Sequence, residues 1–206
     1  QATMIKAVVV VAILALGQTL IILTAGIDLS VGFIALLSMM VMAKLFHEQG
    51  WPPWLSILAG LVMGLVCGAA NGALVTGLNL PPFIATLGTF SIIQALMLLY
   101  TKGRTVLGTD LSDAHLVAGQ IPVRLGAERG PDSFAIYLGI VVMVALYLIV
   151  GFALGQTAWG RHVYAVGDDK EAAMLAGIRV KRVLFSVYAV AGVLFCLGLV
   201  GLMVRR

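Results

Sequence analysis

The chain has 206 residues, of which 61% are hydrophobic and only 11% charged, and its formal net charge is +4. Soluble domains carry about 25% charged residues, so this much apolar surface cannot be buried in one water-facing core. The basic residues do not cluster with aromatic ones, which argues against nucleic-acid binding. Cys67 and Cys196 lie alone in apolar stretches, and the three histidines also stand alone, so neither a disulfide framework nor a metal site is expected.

Six apolar segments are candidate membrane spans, because a bilayer core about 30 Å thick needs roughly 20 helical residues. They cover residues 4–25, 29–46, 54–76, 82–100, 134–154 and 184–204. The first is too long for a signal peptide and precedes no cleavage site. The sequence therefore predicts an all-α, polytopic transmembrane bundle, with residues 1–206 as one domain. We also expect it to be incomplete at both ends, because it opens on Gln1 and stops directly after a span.

Residues 24–32 join the first two spans with almost no polar loop. Gly26 can end the first helix, and Asp28 or Ser30 can cap the next one by accepting a bond from a free N–H group. An ionised Asp28 inside a membrane needs partners or a watery cavity. The residue is therefore either a helix cap or part of a translocation pathway built from a broken helix, and the two roles are compatible.

Two further places carry polar groups inside apolar helices. Asn71 follows Gly64 and Gly68 at a spacing that lets helices approach closely, so it indicates either helix contact or a pathway. Pro81 and Pro82 end one element and suit the first turn of the next. The helix that follows carries a polar stripe that must meet another helix or water: Thr86, Thr89, Ser91 and Gln94.

Two long connections separate the later spans. Residues 101–133 contain mixed charges, glycine and proline, which predicts an irregular aqueous loop. Residues 155–183 are more basic and more ordered. Counting lysine and arginine on the two sides does not decide the orientation of the chain.

The second connection predicts a short helix. Asp168 and Glu171 have the spacing of an acidic capping box, residues 172–176 favour helix, and Gly177 suits the helix end. About two turns are not stable alone, so a partner must pack on them. Ala172, Ala173 and Ala176 leave one side small enough to enter a groove. The alternative is an interfacial helix lying on lipid, for which only Met174 and Leu175 are large and apolar.

Several of these stretches resemble the permease subunits of ABC importers for ribose, xylose and fructose. Residues 24–32, 82–89 and 160–177 are similar to the corresponding family stretches, and Glu-Ala-Ala at 171–173 followed by Gly177 looks like the cytoplasmic coupling loop that presses into the ATPase subunit. Ala-Trp-Gly-Arg at 158–161 and Ala-Val-Gly-Asp-Asp at 165–169 favour the fructose type. The resemblance is weakest from residue 108 to residue 132.

The resemblance implies a bacterial inner-membrane permease of about ten spans that catalyses nothing itself and moves monosaccharides by alternating access. Its partners would be a second permease subunit, an ABC ATPase that holds ATP and magnesium, and a periplasmic sugar-binding protein. The residues expected to couple to the ATPase are Asp168, Asp169, Glu171, Ala172, Ala173, Leu175 and Gly177. The candidates for the pathway or the broken-helix turn are Gly26, Asp28, Ser30, Asn71, Thr86, Thr89 and Gln94.

The residues themselves agree on one point. The chain has no Gly-x-x-x-x-Gly-Lys-[Ser/Thr] phosphate loop, so any ATP must be hydrolysed by another chain. A secondary transporter or channel is an alternative, but it would need more intramembrane carboxylates than Asp28. A membrane-embedded enzyme is another, but it would need a convergent set of catalytic groups.

Overall fold

The computed structural model describes residues 2–101 and 133–203, and these form eight helices. They are α1 (Ala2–Ile22), α2 (Val31–His47), α3 (Pro53–Gly77), α4 (Pro82–Thr101), α5 (Ser133–Gln156), α6 (Ala158–Asp168), α7 (Lys170–Leu175) and α8 (Val180–Met203). All regular elements in the described part of the chain are helical, which confirms the predicted all-α class. The predicted loop 101–133 lies almost entirely outside the described residues.

Each of the six predicted spans corresponds to a helix in the described residues, although residues 23–25 and 29–30 belong to the connection between α1 and α2. Over the described residues, four stretches are long and apolar enough to cross a membrane: Pro53–Gly77, Pro82–Leu99, Gly139–Gln156 and Val180–Gly198. The first two helices contribute shorter apolar stretches, Ala7–Ile22 and Val31–Phe46. Helix α4 begins at Pro82, as predicted, because proline needs no N–H partner in the first turn.

Helix α8 is the centre of the bundle. It packs against α1, α2, α3 and α6, with its largest interface on α3. Val187, Tyr188, Ala191 and Phe195 on α8 are fully buried in this core. By contrast the described stretch of α5, Gly139–Gln156, leaves most of its apolar side chains exposed, as expected for a helix that faces lipid or other helices.

Small residues bring α3 and α8 together. A β-carbon added to Gly64 would lie 2.6 Å from the carbonyl oxygen of Gly192, and one added to Gly68 would overlap the carbonyl oxygen of Tyr188. The two backbones are therefore in direct contact, which is how membrane helices gain van der Waals energy without a hydrophobic driving force. This confirms the predicted role of the glycines that precede Asn71.

Candidate functional site

The turn between α1 and α2 separates two helices, as predicted, but its geometry differs in detail. The Ala25 and Gly26 N–H groups donate to the carbonyls of Ile22 (2.9 Å) and Ile21 (3.1 Å), the pattern of a Schellman motif. The left-handed residue is Ala25, with φ of 55°, and Gly26 is the residue after it in the motif that ends α1. Gly26 is needed for space instead, since a β-carbon there would lie 2.9 Å from the hydroxyl oxygen of Tyr188.

Asp28 and Ser30 form a tight local pair in this turn. Asp28 Oδ1 accepts hydrogen bonds from the Ser30 N–H (2.7 Å) and the Ser30 hydroxyl (2.6 Å). Ser30 occupies the N-cap position of α2, but its hydroxyl does not cap the helix. Asp28 therefore stabilises the turn that precedes the helix rather than the first helical N–H groups.

Asn71 on α3 ties this pair to the rest of the bundle. Its amide nitrogen donates to Ser30 Oγ (2.8 Å) and Asp28 Oδ2 (3.3 Å). All three residues are at most 3% exposed. A buried carboxylate is costly unless hydrogen-bonded, and these donors offset part of that cost. Asn71 thus bonds to the α1–α2 turn, and not across the α3–α8 contact.

The polar stripe of α4 divides into two parts. Thr86 is fully buried and accepts from the Leu29 N–H (3.2 Å), so it holds the same turn, and Thr89 is also buried. Ser91 and Gln94 are exposed. Only the first half of the stripe therefore meets other parts of the described chain.

Tyr188 on α8 lies beside these residues and was not among the sequence-predicted site residues. It is 1% exposed, and its hydroxyl has no hydrogen-bond partner among the described residues. The second amide atom of Asn71, Oδ1, is equally unpartnered. No sequence signal marks Tyr188, because a tyrosine in an apolar helix is equally typical of a membrane interface. We call Asp28, Ser30, Asn71, Thr86 and Tyr188 the turn cluster.

The turn cluster offers hydrogen bonds rather than catalysis. One carboxylate, two hydroxyls, a phenol and an amide are buried together, with no histidine, cysteine or lysine beside them in the described hydrogen-bond network. Over the described residues, three or more potential metal ligands nowhere come together.

The connection 155–183 contains a helix that the sequence did not predict. Helix α6 is capped by Thr157, whose hydroxyl accepts from the Gly160 N–H (3.3 Å), and it buries Val163 and Val166 completely. The spacing of those two valines was the available signal. A β-carbon on Gly167 would overlap the carbonyl oxygen of Leu23, so the end of α6 lies directly on the end of α1.

The predicted short helix is present as α7, with both ends fixed. Asp169 is its cap and accepts from the N–H groups of Glu171 (2.8 Å) and Ala172 (3.1 Å). The prediction of Asp168 as the cap is wrong, because Asp168 is the last residue of α6. Gly177 has φ of 83° and closes a Schellman motif, which confirms the predicted helix end.

The outward face of α7 differs from the predicted one. Ala173 is only 4% exposed and packs into the core of the chain. The expectation that its side chain faces a groove of the ATPase is therefore wrong. Met174 and Leu175 are 63% and 87% exposed, and Ala172 and Glu171 are exposed as well. The short helix therefore uses Ala173 as its anchor and presents two large apolar side chains outward.

Comparison with known proteins places these features in context. Residues 2–204 match the family described as branched-chain amino acid transport system / permease component. The chain is 44% identical over 191 residues to the fructose import permease protein FrcC of Rhizobium meliloti, covering 93% of this chain and 52% of that protein. It is 39% identical over 184 residues to the fructose import permease protein FruF of Bifidobacterium longum, covering 88% and 48%. It is 36% identical over 201 residues to the ribose import permease protein RbsC of Bacillus subtilis, covering 95% and 57%. The chain thus spans about half the length of the curated relatives it matches, and no solved structure matches it.

Proposed function

The chain belongs to the family of branched-chain amino acid transport system permease components, and from this premise we propose that it is the membrane-spanning subunit of an ATP-driven monosaccharide importer in the bacterial inner membrane. The relatives are named for import of fructose and ribose, which supports a sugar of that size as the substrate. ATP and magnesium would be bound by a separate ATPase subunit. A periplasmic binding protein would deliver the sugar, and a second permease copy would complete the pathway.

The observation that carries the mechanism is the form of α7. A free helix of six residues would not persist, yet α7 is capped by Asp169, ended by Gly177 and anchored by buried Ala173. This leaves Met174 and Leu175 held outward on a rigid support. Such a projection suits a groove on a partner protein better than water, and we assign it to contact with the ATPase.

Helix α7 is connected to the turn cluster in two ways, so its movement can displace the cluster. Helix α6, which precedes α7, ends against Leu23 and Thr24 at the α1–α2 turn. It is also held to α8, because the Trp159 indole N–H donates to Ser186 Oγ (2.9 Å). On the other side of α7, α8 begins at Val180. In the proposed cycle, ATP-driven closure of the ATPases moves α7, and the bundle converts between two packed states.

The contact with the ATPase can be tested by changing one exposed side chain. Leu175→Glu should leave the amount of membrane-inserted protein unchanged, because the side chain touches little of its own chain. It should lower ATPase co-purification and sugar uptake at least about tenfold, since a charge in an apolar contact is unpaired. Leu78→Glu is the matched control, because Leu78 is 65% exposed in the α3–α4 connection, outside α7.

Cysteine labelling tests the topology in the same proteins. A cysteine at position 175 should react with an impermeant reagent from the cytoplasmic side and become protected when the ATPase is added. Reaction only from the outer side would overturn both the orientation and the coupling role. Normal ATPase binding by Leu175→Glu would show instead that α7 lies on lipid.

A further inference from the structure

Some buried hydrogen-bonding groups of the turn cluster lack a partner in the described part of the chain. Among the described residues, the Tyr188 hydroxyl has no hydrogen-bond acceptor, and Asn71 Oδ1 has no hydrogen-bond donor. Asp28 Oδ2 receives one bond from the described residues, the long 3.3 Å contact from Asn71. A donor without an acceptor therefore lies in the same buried region as two acceptors that are weakly used or unused, an arrangement that is rare in proteins and calls for an explanation.

The Tyr188 hydroxyl lies close to the turn that carries Asp28. The position of a β-carbon on Gly26 is 2.9 Å from the Tyr188 hydroxyl oxygen, so the phenol points at the backbone of the α1–α2 turn. Asp28 lies two residues further along that turn and, like Tyr188, is buried. The absence of a side chain at Gly26 allows this close approach of the phenol to the turn.

We propose that Tyr188 is a positioning residue that donates a hydrogen bond to the Asp28 carboxylate in a second conformation of the bundle, and that the conformation described here is the one in which this bond is broken. This inference rests on the proposed alternating-access function and assigns the moving contact within it. The bond would form when the α1–α2 turn and α8 shift relative to each other.

The position of the contact suits this role. The α1–α2 turn lies under the end of α6, through Gly167 against Leu23, while Tyr188 stands on α8, which follows α7 in the chain. Helix α6, which precedes the segment proposed to receive the ATPase, therefore touches the start of the turn that carries Asp28, and that segment leads directly into α8, which carries Tyr188. A movement of α6 and α7 changes the relative position of the two groups.

The test is Tyr188→Phe in the full-length protein, with Tyr147→Phe as the matched control. The Tyr147 hydroxyl donates to the Ala12 carbonyl (2.9 Å), so the same change removes a bond that is already made. Tyr188→Phe should raise the thermal unfolding midpoint in detergent, because an unpaired buried hydroxyl disappears. It should also lower sugar uptake about tenfold, the loss expected for one hydrogen bond to a charged acceptor. Tyr147→Phe should lower the midpoint and leave uptake within about twofold of wild type.

Wild-type uptake by Tyr188→Phe would overturn the proposal. So would a lowered midpoint, which would mean that the hydroxyl already has a partner such as a buried water. A readout independent of transport is the distance between spin labels at Ile27→Cys and Lys181→Cys, with Cys67 and Cys196 replaced by alanine. The labelled protein with Tyr188 should show two distances and Tyr188→Phe one, whereas a single distance in both would refute the second conformation. If unmodified protein takes up no sugar, the proposed function fails, and the spin-label distances alone decide the Tyr188 contact.

Discussion

Replacing Gly64 by alanine should separate the two central helices of the bundle. The added β-carbon would lie 2.6 Å from the Gly192 carbonyl oxygen and 2.9 Å from Cys196 Cβ. Both atoms are fixed to the α8 backbone, so no side-chain rotation can make room. To restore an ordinary contact of 3.4 Å, the backbones would have to move apart by about 0.8 Å near this point.

The cost follows from what holds these helices together. Overpacking of a close contact costs about 1–3 kcal/mol, and here it also weakens van der Waals contacts along the neighbouring turns. At roughly 2–4 °C per kcal/mol for a chain of this size, the unfolding midpoint should fall by several degrees. The measurement is thermal unfolding of the detergent-solubilised full-length protein.

Gly88→Ala provides the control for this prediction. Gly88 is also inside an apolar helix, but nothing in the described chain lies within 4 Å of its β-carbon position. Alanine should be neutral there or stabilise by up to about 1 kcal/mol, because it favours helix more than glycine does. Equal midpoints for Gly64→Ala and Gly88→Ala would refute the argument that close backbone contact, and not helix propensity, requires glycine at position 64.

Two further substitutions test the turn and the end of α7. Asp28→Leu should lose most membrane expression, because Ser30 and Asn71 lose a buried acceptor, which costs about 1–3 kcal/mol per unpaired group. Asp28→Asn retains one acceptor oxygen and should express well. Equal, near-wild-type levels of the two variants on a membrane immunoblot would contradict this. Gly177→Val should speed amide hydrogen exchange in α7, because φ of 83° costs valine about 1–2 kcal/mol even though the space around its β-carbon is open. Gly177→Asn should raise the exchange rate less. Unchanged exchange in the valine variant would show that the positive φ is not required.

The helices themselves follow from the sequence because composition leaves few alternatives. Apolar runs near the length of a bilayer crossing satisfy their backbone groups only as helices, so the helical state of these runs and their approximate ends could be predicted. Pro82 marks a helix start and Gly177 a helix end because proline and glycine restrict or permit particular φ values whatever surrounds them.

The sequence did not show which of two adjacent residues ends or caps a helix. Ala25 takes the left-handed position directly before Gly26, the residue expected to end the helix, and Asp169 caps α7 in place of Asp168. In each case the choice depends on where the preceding helix ends, and that is set by contacts. Helix α6 was missed for a related reason, since its buried side, Val163 and Val166, stabilises it only once α8 and the end of α1 are beside it.

The sequence alone determined the helical class, the broken connection at Asp28 and the short capped helix after residue 168, because these depend on hydrophobicity and on local backbone chemistry. Only the tertiary structure decided which side of each element meets which neighbour. It turned Ala173 inward and Leu175 outward, directed Asn71 to the α1–α2 turn, and brought Tyr188 to the same place from α8. Helical periodicity specifies that a helix has faces, but the partner of each face is fixed by close contact between residues far apart in the chain.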